Sequence, residues 1–113
     1  MNTNSLVLFL MISSFPAYSH TDDYNTALSN YSMCAEYARL SGSDTHTATE
    51  FIDELTADDI NAVRFSSYGK GKAYGYVMAS HEILNVDSKK VARQFFKKES
   101  CKSKMKDFYD TME

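Results

Sequence analysis

The residues of this chain best suited to covalent chemistry are two cysteines, Cys34 and Cys101. A thiol can act as a nucleophile, bind a metal ion or join a second thiol in a disulfide. The sequence has no Cys-x-x-Cys motif and no histidine close to either cysteine, so a redox or metal-binding pair has little support. Two free thiols are the other alternative. In an exported protein such a pair typically forms one disulfide, which we expect here if the chain is exported.

The first 19 residues have the pattern of a secretory signal peptide. An apolar run from Leu6 to Ile12 is followed by small residues, Ala17 and Ser19, at the positions that a signal peptidase reads. The run is too short to hold a protein in a membrane. We therefore expect residues 1–19 to be removed, leaving a single periplasmic or extracellular domain over residues 20–113 with no stable membrane anchor. The alternative, a buried N-terminal segment of a cytosolic protein, does not explain the small-residue cleavage site.

The expected disulfide would contribute a large share of the stability of so small a domain. Positions 34 and 101 enclose a long loop, and closing it is worth about 4 kcal/mol in the chain-entropy description. The total free energy of unfolding of such a domain is about 5–10 kcal/mol. The bond is therefore expected to decide whether the domain stays folded.

The spacing of apolar residues predicts an all-α fold, a small bundle of four to five helices stapled by one disulfide. A first helix over residues 22–41 carries an apolar stripe that includes Cys34. A last helix places Cys101 and Phe108 on one face, after a bend expected near Ser100. The disulfide would therefore join the first helix to the last.

Residue types also predict where the other helices begin and end. The residues Thr47–Glu50 have the capping-box pattern, and Thr56–Asp59 marks another start, so this region forms two short helices or one bent helix. Either Asp87 or Ser88 is expected to cap a later helix. Gly42 is a natural stop for the first helix.

No motif in the sequence identifies a catalytic centre. The pair His81-Glu82 begins the zinc-protease pattern, but Asn85 stands where the second histidine is required. The segment 66–72 contains Gly-Lys-Gly-Lys without the spacing or hydroxyl residue of a phosphate-binding loop, and we interpret it as a flexible junction between helices. With both cysteines in a disulfide, no activated nucleophile remains. We expect a protein that is not an enzyme and uses no cofactor.

Charge is distributed unevenly along the chain. Residues 20–63 contain nine acidic side chains and one basic one, whereas residues 64–113 contain eleven basic and six acidic ones. We interpret the two halves as complementary and packed against each other; the alternative is a charged surface that attracts a partner. The lysine-rich part lacks the arginine and aromatic residues of a nucleic-acid binder, so no nucleic-acid partner is expected.

Tyrosines that lie off the apolar stripes are candidates for a binding surface. Tyr37, Tyr68 and Tyr76 fall off the main stripes or lie beside glycines. With Lys70 and Lys72 between them, Tyr68 and Tyr76 would suit a patch that binds another protein, because tyrosine is enriched in protein interfaces. The alternative is that these tyrosines only line the rim of a small core, with their hydroxyls in water.

Cleavage after Ser19 would make His20 the first residue of the mature chain. Its amine and imidazole nitrogens suit Cu(II), and a third nitrogen could come from His46 or His81. A carrier of copper or of another small ligand is therefore the alternative function. A histidine at a chain terminus is otherwise simply solvated, and we expect no other metal site.

The layout of Cys34, the segment Ala73–Ala79 (Ala-Tyr-Gly-Tyr-Val-Met-Ala) and Cys101 resembles that of a broad group of small exported helical proteins. Periplasmic acid-stress chaperones of the HdeA type and immunity proteins that neutralise type VI secretion effectors look like this. The resemblance implies protein binding without a cofactor. With the small size and the absent catalytic set, it favours an exported protein-binding module: an inhibitor, an immunity protein or a stress chaperone.

Overall fold

The computed structural model describes residues 21–112, which form five helices and no strand. In chain order they are α1 (Thr21–Leu40), α2 (His46–Thr56), α3 (Ile60–Leu84), α4 (Ser88–Lys98) and α5 (Cys101–Met112). The predicted all-α bundle is therefore correct. The predicted signal peptide, residues 1–19, and His20 lie outside the described residues. None of the five helices is long and apolar enough to cross a membrane.

Helix α1 is the centre of the bundle, and the other four helices pack around it. All residues from 31 to 38 are buried, so α1 has no solvent-exposed face over two turns. Helix α3 runs beside α1 in the same direction. One core cluster contains Leu28 and Ala62, from the first halves of the two helices, and the other contains Tyr37 and Val77, from the second halves.

The Cys34–Cys101 disulfide joins α1 to the first residue of α5, as the apolar spacing predicted, with 5.3 Å between the two Cα atoms. Both cysteines are fully buried in a cluster with side chains of α3 and α4. Farther along α5, the Phe108 ring lies 5.4 Å from the Tyr31 ring and 5.9 Å from the Phe51 ring of α2. Helix α5 therefore contributes to both core clusters. The disulfide also indicates an oxidising compartment and hence an exported location.

Aspartate side chains cap α3 and α4. Asp59 accepts a hydrogen bond from the backbone N–H of Ala62 at 3.1 Å, so residues 46–84 form two separate helices. Asp87, one of the two predicted caps, accepts a hydrogen bond from the backbone N–H of Lys90 at 3.2 Å. An acceptor at this position satisfies an amide that has no partner within the helix.

Residues with positive φ mark the ends of α1 and α4. Gly42 has a φ of 91° after α1, and Ser100 has a φ of 55° between α4 and α5, which confirms the predicted stop and bend. The predicted capping box at Thr47–Glu50 is wrong. Helix α2 begins one residue earlier, and Asp44 accepts a hydrogen bond from the backbone N–H of His46 at 3.0 Å. Thr47 is then inside the first turn, where it cannot act as a cap.

The glycine-containing segment 66–72 is not the predicted junction, because it forms the middle of α3. An ideal Cβ on Gly69 would overlap the backbone carbonyl of Ser29 on α1. One turn earlier on α3, the hydroxyls of Ser32 and Ser66 form a buried hydrogen bond of 2.7 Å. Small residues therefore allow close packing of α1 against α3, and this packing outweighs the low helix propensity of glycine.

Tyr37 is buried rather than exposed, contrary to its predicted position off the apolar stripe. It lies on the enclosed part of α1, and its ring stacks on Phe95 at 5.3 Å with 7° between the ring planes. Its hydroxyl has no hydrogen-bond partner among residues 21–112. Burial, with a smaller effect of the Glu99 carboxylate and then of Tyr76, raises the pKa of Tyr37 to about 12.

Replacement of this hydroxyl gives a first prediction. Tyr37→Phe should raise the free energy of unfolding by about 1 kcal/mol at neutral pH, because it removes a buried group without a partner. Above pH 10.0 the unfolded wild-type chain loses the Tyr37 proton, while the folded chain keeps it up to about 12. The free energy of unfolding of the wild type is therefore unaffected by this titration below pH 10.0, and it falls as the pH rises from 10.0 to about 12.

Denaturant unfolding of both proteins near neutral pH and at about pH 11 measures the two effects. The stability difference in favour of the variant should be larger at the higher pH, since the other tyrosines titrate equally in both proteins. A variant that is less stable than wild type at neutral pH would contradict the prediction.

Candidate functional site

Three of the four predicted binding residues form a continuous stripe on α3. Tyr68, Lys72 and Tyr76 are spaced four residues apart and lie on one side of the helix. The Lys72 Nζ lies 5.8 Å from the centre of the Tyr68 ring and 6.0 Å from the centre of the Tyr76 ring. Tyr68 is 63% exposed and Tyr76 is 48% exposed. We call these three residues the tyrosine–lysine stripe, in which the ammonium group holds both rings by cation–π contacts.

The fourth predicted residue, Lys70, lies elsewhere. It is two residues from both Tyr68 and Lys72, so its side chain projects from a different side of α3. There it borders a polar cleft of about 160 Å³ between α1, α2 and α3. The predicted set of four is therefore divided, and Lys70 does not belong to the stripe.

The polar cleft contains a buried carboxylate that is already paired. Glu36 accepts two hydrogen bonds from Arg39, from Nε at 2.8 Å and from Nη2 at 2.6 Å. The hydrogen bonding of the Arg39 guanidinium to Glu36 is the largest cause of the raised pKa of Arg39. Ser32 and Ser66, which also line the cleft, are bonded to each other. These polar groups form hydrogen bonds with one another, so we attribute the cleft to the packing of α1, α2 and α3 and not to a binding site.

An aromatic stack connects the stripe to the core. The Tyr76 ring packs on Phe95 of α4 at 6.1 Å with 25° between the planes. Phe95 in turn stacks on the buried Tyr37. The Tyr76 end of the stripe is therefore supported by α4 and α1, and the Tyr76 side chain loses little conformational freedom on contact with another molecule.

A groove lies between α3 and α4 next to the stripe. It has a volume of about 210 Å³, and its lining includes Leu84, Val91, Phe95 and Lys98. We call it the α3–α4 groove. Because Phe95 both lines the groove and stacks on Tyr76, the groove and the stripe form one continuous surface.

Apolar side chains are exposed at the far end of the groove. Ile83 is 81% exposed and Leu84 is 65% exposed. The turn after them is held by Asn85, which adopts the left-handed conformation, and by a 2.6 Å hydrogen bond between His81 Nδ1 and the carbonyl of Val86. Ile83 and Leu84 are thus two exposed apolar residues at the end of α3, next to a turn that a hydrogen bond holds in place.

Helix α4 presents a basic outer face. It carries five cations and no carboxylate, and none of the five forms an ion pair with another described residue. They are Lys89, Lys90, Arg93, Lys97 and Lys98. The acidic residues between positions 44 and 59 lie on and beside α2, and no Cα atom of α2 is within 8 Å of one in α4.

The two halves of the chain pack against each other as predicted, but no ion pair between described residues joins them. All four ion pairs of the described residues join side chains of the same half, including Glu36 with Arg39 and Lys106 with Asp110. The halves pack through apolar side chains instead. Sequence reasoning missed the basic face of α4, although a helix with five cations and no acid was a signal that it could have used.

Residues 21–112 contain no group of three or more side chains that could hold a metal ion. His46 lies 3.3 Å from the carboxylate of Glu50, and His81 holds the turn after α3. His20, on which the copper alternative depends, is outside the described residues. Comparison with protein-family models, curated proteins and solved structures finds no match, so any functional conclusion rests on the geometry of this chain.

Proposed function

We propose that this chain is a small exported, non-enzymatic protein-binding module that acts as an inhibitor, immunity protein or stress chaperone in the periplasm. The tyrosine–lysine stripe carries the proposal. Exposed tyrosines with few rotatable bonds, held in place by Lys72 and Phe95, supply large contact area at low entropic cost. A monomeric protein rarely exposes so many large apolar and aromatic side chains on one face without a partner.

Two further observations support this role. The buried disulfide suits a compartment in which proteins are oxidised. Helix α4, beside the stripe, carries cations that have no carboxylate partner among residues 21–112, and such a surface accelerates association with an oppositely charged protein. The copper-carrier alternative depends on His20, which lies outside the described residues, and the proposal here rests on the described surface instead.

The test is the capture of a partner by variants of the stripe. Immobilised wild-type protein, with the disulfide intact, should recover a stoichiometric partner from a native envelope extract. Replacement of both stripe tyrosines, Tyr68→Ala with Tyr76→Ala, should weaken that capture at least about tenfold, because truncation of central interface tyrosines costs more than about 1 kcal/mol each.

The matched control is Tyr74→Ala, which removes a tyrosine that is 50% exposed on the same helix but lies near Arg39 rather than in the stripe. Circular dichroism should show that all variants remain helical. Capture that is reduced as much by Tyr74→Ala as by the double variant, or no partner at either neutral or acidic pH, would contradict the proposal.

A further inference from the structure

We propose that the partner presents an acidic protein segment with large apolar side chains, and that this segment docks along the α3–α4 groove. The inference rests on the proposed function and adds the chemistry of the partner. It combines three observations: an apolar groove, a basic face beside it, and the aromatic stripe with which the groove is continuous.

The apolar side chains of the segment would occupy the groove. Its floor is formed by Val91 and Phe95, and Leu84 lies at its end. A volume of about 210 Å³ accepts a side chain such as leucine or phenylalanine. Ile83 beside the groove would lose its exposure to water in the same step, which is favourable in proportion to the apolar area that is covered.

The charge of the segment follows from α4. Lys98 lines the groove itself, and the exposed Arg93 and Lys97 line a neighbouring depression that shares Gln94 with the groove. These cations have no carboxylate partner among residues 21–112. A neutral or basic segment in the groove would leave them unpaired or repel them, whereas aspartate or glutamate would pair with them.

The length of the surface sets the size of the segment. From Tyr68 to Ile83 the helix rises by about 22 Å, the length of about 15 residues of helix. The stripe lies at one end of this path and the groove at the other, joined by Tyr76 and Phe95. One helix or extended strand of the partner can therefore contact both.

The other occupants are less well matched. An anionic bilayer would match the cations of α4, but a flat surface cannot enter the groove between α3 and α4. A second copy of this chain could offer the acidic residues of its α2. The apolar side chains next to them, such as Phe51 and Leu55, are half-buried and packed on the core, so they are not free to enter the groove. A partner protein is favoured, and both alternatives are outcomes of the test.

The probe is a displayed library of random peptides of about 15 residues, selected on the disulfide-bonded wild-type protein. We expect the selected peptides to be enriched in aspartate, glutamate and large apolar residues. Two variants test the place of binding: Arg93→Glu with Lys97→Glu reverses the basic face, and Leu84→Asp places a charge in the groove. Each should weaken binding of the selected peptides by at least about tenfold.

Matched controls carry the same changes elsewhere on α3. Arg64→Glu with Lys70→Glu reverses two exposed cations away from the groove, and Ile60→Asp changes an exposed apolar residue at the opposite end of the helix. These controls should bind the selected peptides within about twofold of wild type. All substituted residues are exposed, so the variants should keep the wild-type fold, which circular dichroism checks.

Three results would overturn the inference: selected peptides without an acidic excess, binding unaffected by the groove variants, or no peptide selected. Groove-dependent binding to phosphatidylglycerol vesicles without peptide binding would assign the surface to a membrane. Groove-dependent dimerisation would assign it to a second copy. If envelope capture depends on the stripe but not on Leu84, Arg93 or Lys97, the inference fails while the proposed function stands.

Discussion

Reduction of the Cys34–Cys101 disulfide should lower the free energy of unfolding by about 2–5 kcal/mol. The bond closes a loop of 67 residues, and its loss returns that conformational freedom to the unfolded chain. In the folded state the two sulfur atoms lie in the cluster that joins α1, α3, α4 and α5. No other covalent link holds α5 on α1 in the described residues, so its packing would depend on noncovalent contacts such as those of Met105 and Phe108.

Thermal unfolding with and without a reductant measures this effect. For a domain of this size the expected loss corresponds to a fall in Tm of at least about 8 °C. The double variant Cys34→Ala with Cys101→Ala is the control, since it removes the bond without a reductant. Melting temperatures of the oxidised and reduced proteins within about a degree of each other would contradict the prediction. So would two reactive thiols in protein purified from its export compartment.

Gly69→Ala should destabilise the fold by about 1–3 kcal/mol, although alanine is the better helix former. The added methyl group would overlap the carbonyl of Ser29, which belongs to the backbone and cannot rotate away. Helices α1 and α3 would have to separate at this point. The nearby hydrogen bond between Ser32 and Ser66 would lengthen or break with that movement.

The matched control is Gly71→Ala, two residues farther along α3. A Cβ at Gly71 meets no atom within 4 Å, so this change should stabilise the protein by about 0.5–1 kcal/mol through helix propensity alone. Denaturant unfolding of the two variants should therefore shift in opposite directions. Stabilisation by both substitutions would show that α1 and α3 are not in close contact at Gly69.

Local patterns were sufficient to predict the helical class and the disulfide. Apolar spacing depends on the helix period alone, and it placed Cys34 and Cys101 on inward faces of the first and last helices. Punctuating residues also act locally, which is why Gly42, Asp87 and Ser100 were recognised. Helix periods and helix ends depend on residues that are close in the sequence, and these features are therefore predictable from the sequence.

Features that depend on contacts between helices were not predictable in the same way. Composition alone predicts a flexible junction around Gly69, because nothing near it in the sequence shows that it packs on Ser29, a residue 40 positions away. Residue spacing places Tyr37 off the main apolar stripe, and spacing within α1 cannot show that four other helices leave no exposed side there. Proximity in the sequence groups Lys70 with Lys72, whereas helical geometry places them on different sides of α3.

The central claim is that the surface formed by the tyrosine–lysine stripe and the α3–α4 groove binds a protein. Hydrogen–deuterium exchange of the disulfide-bonded protein, alone and with the partner recovered by capture, tests it most directly. We expect slower exchange in residues 68–84 and in α4, with unchanged exchange in α2. Protection confined to α2 or to the polar cleft around Glu36, with α3 and α4 unaffected, would contradict it.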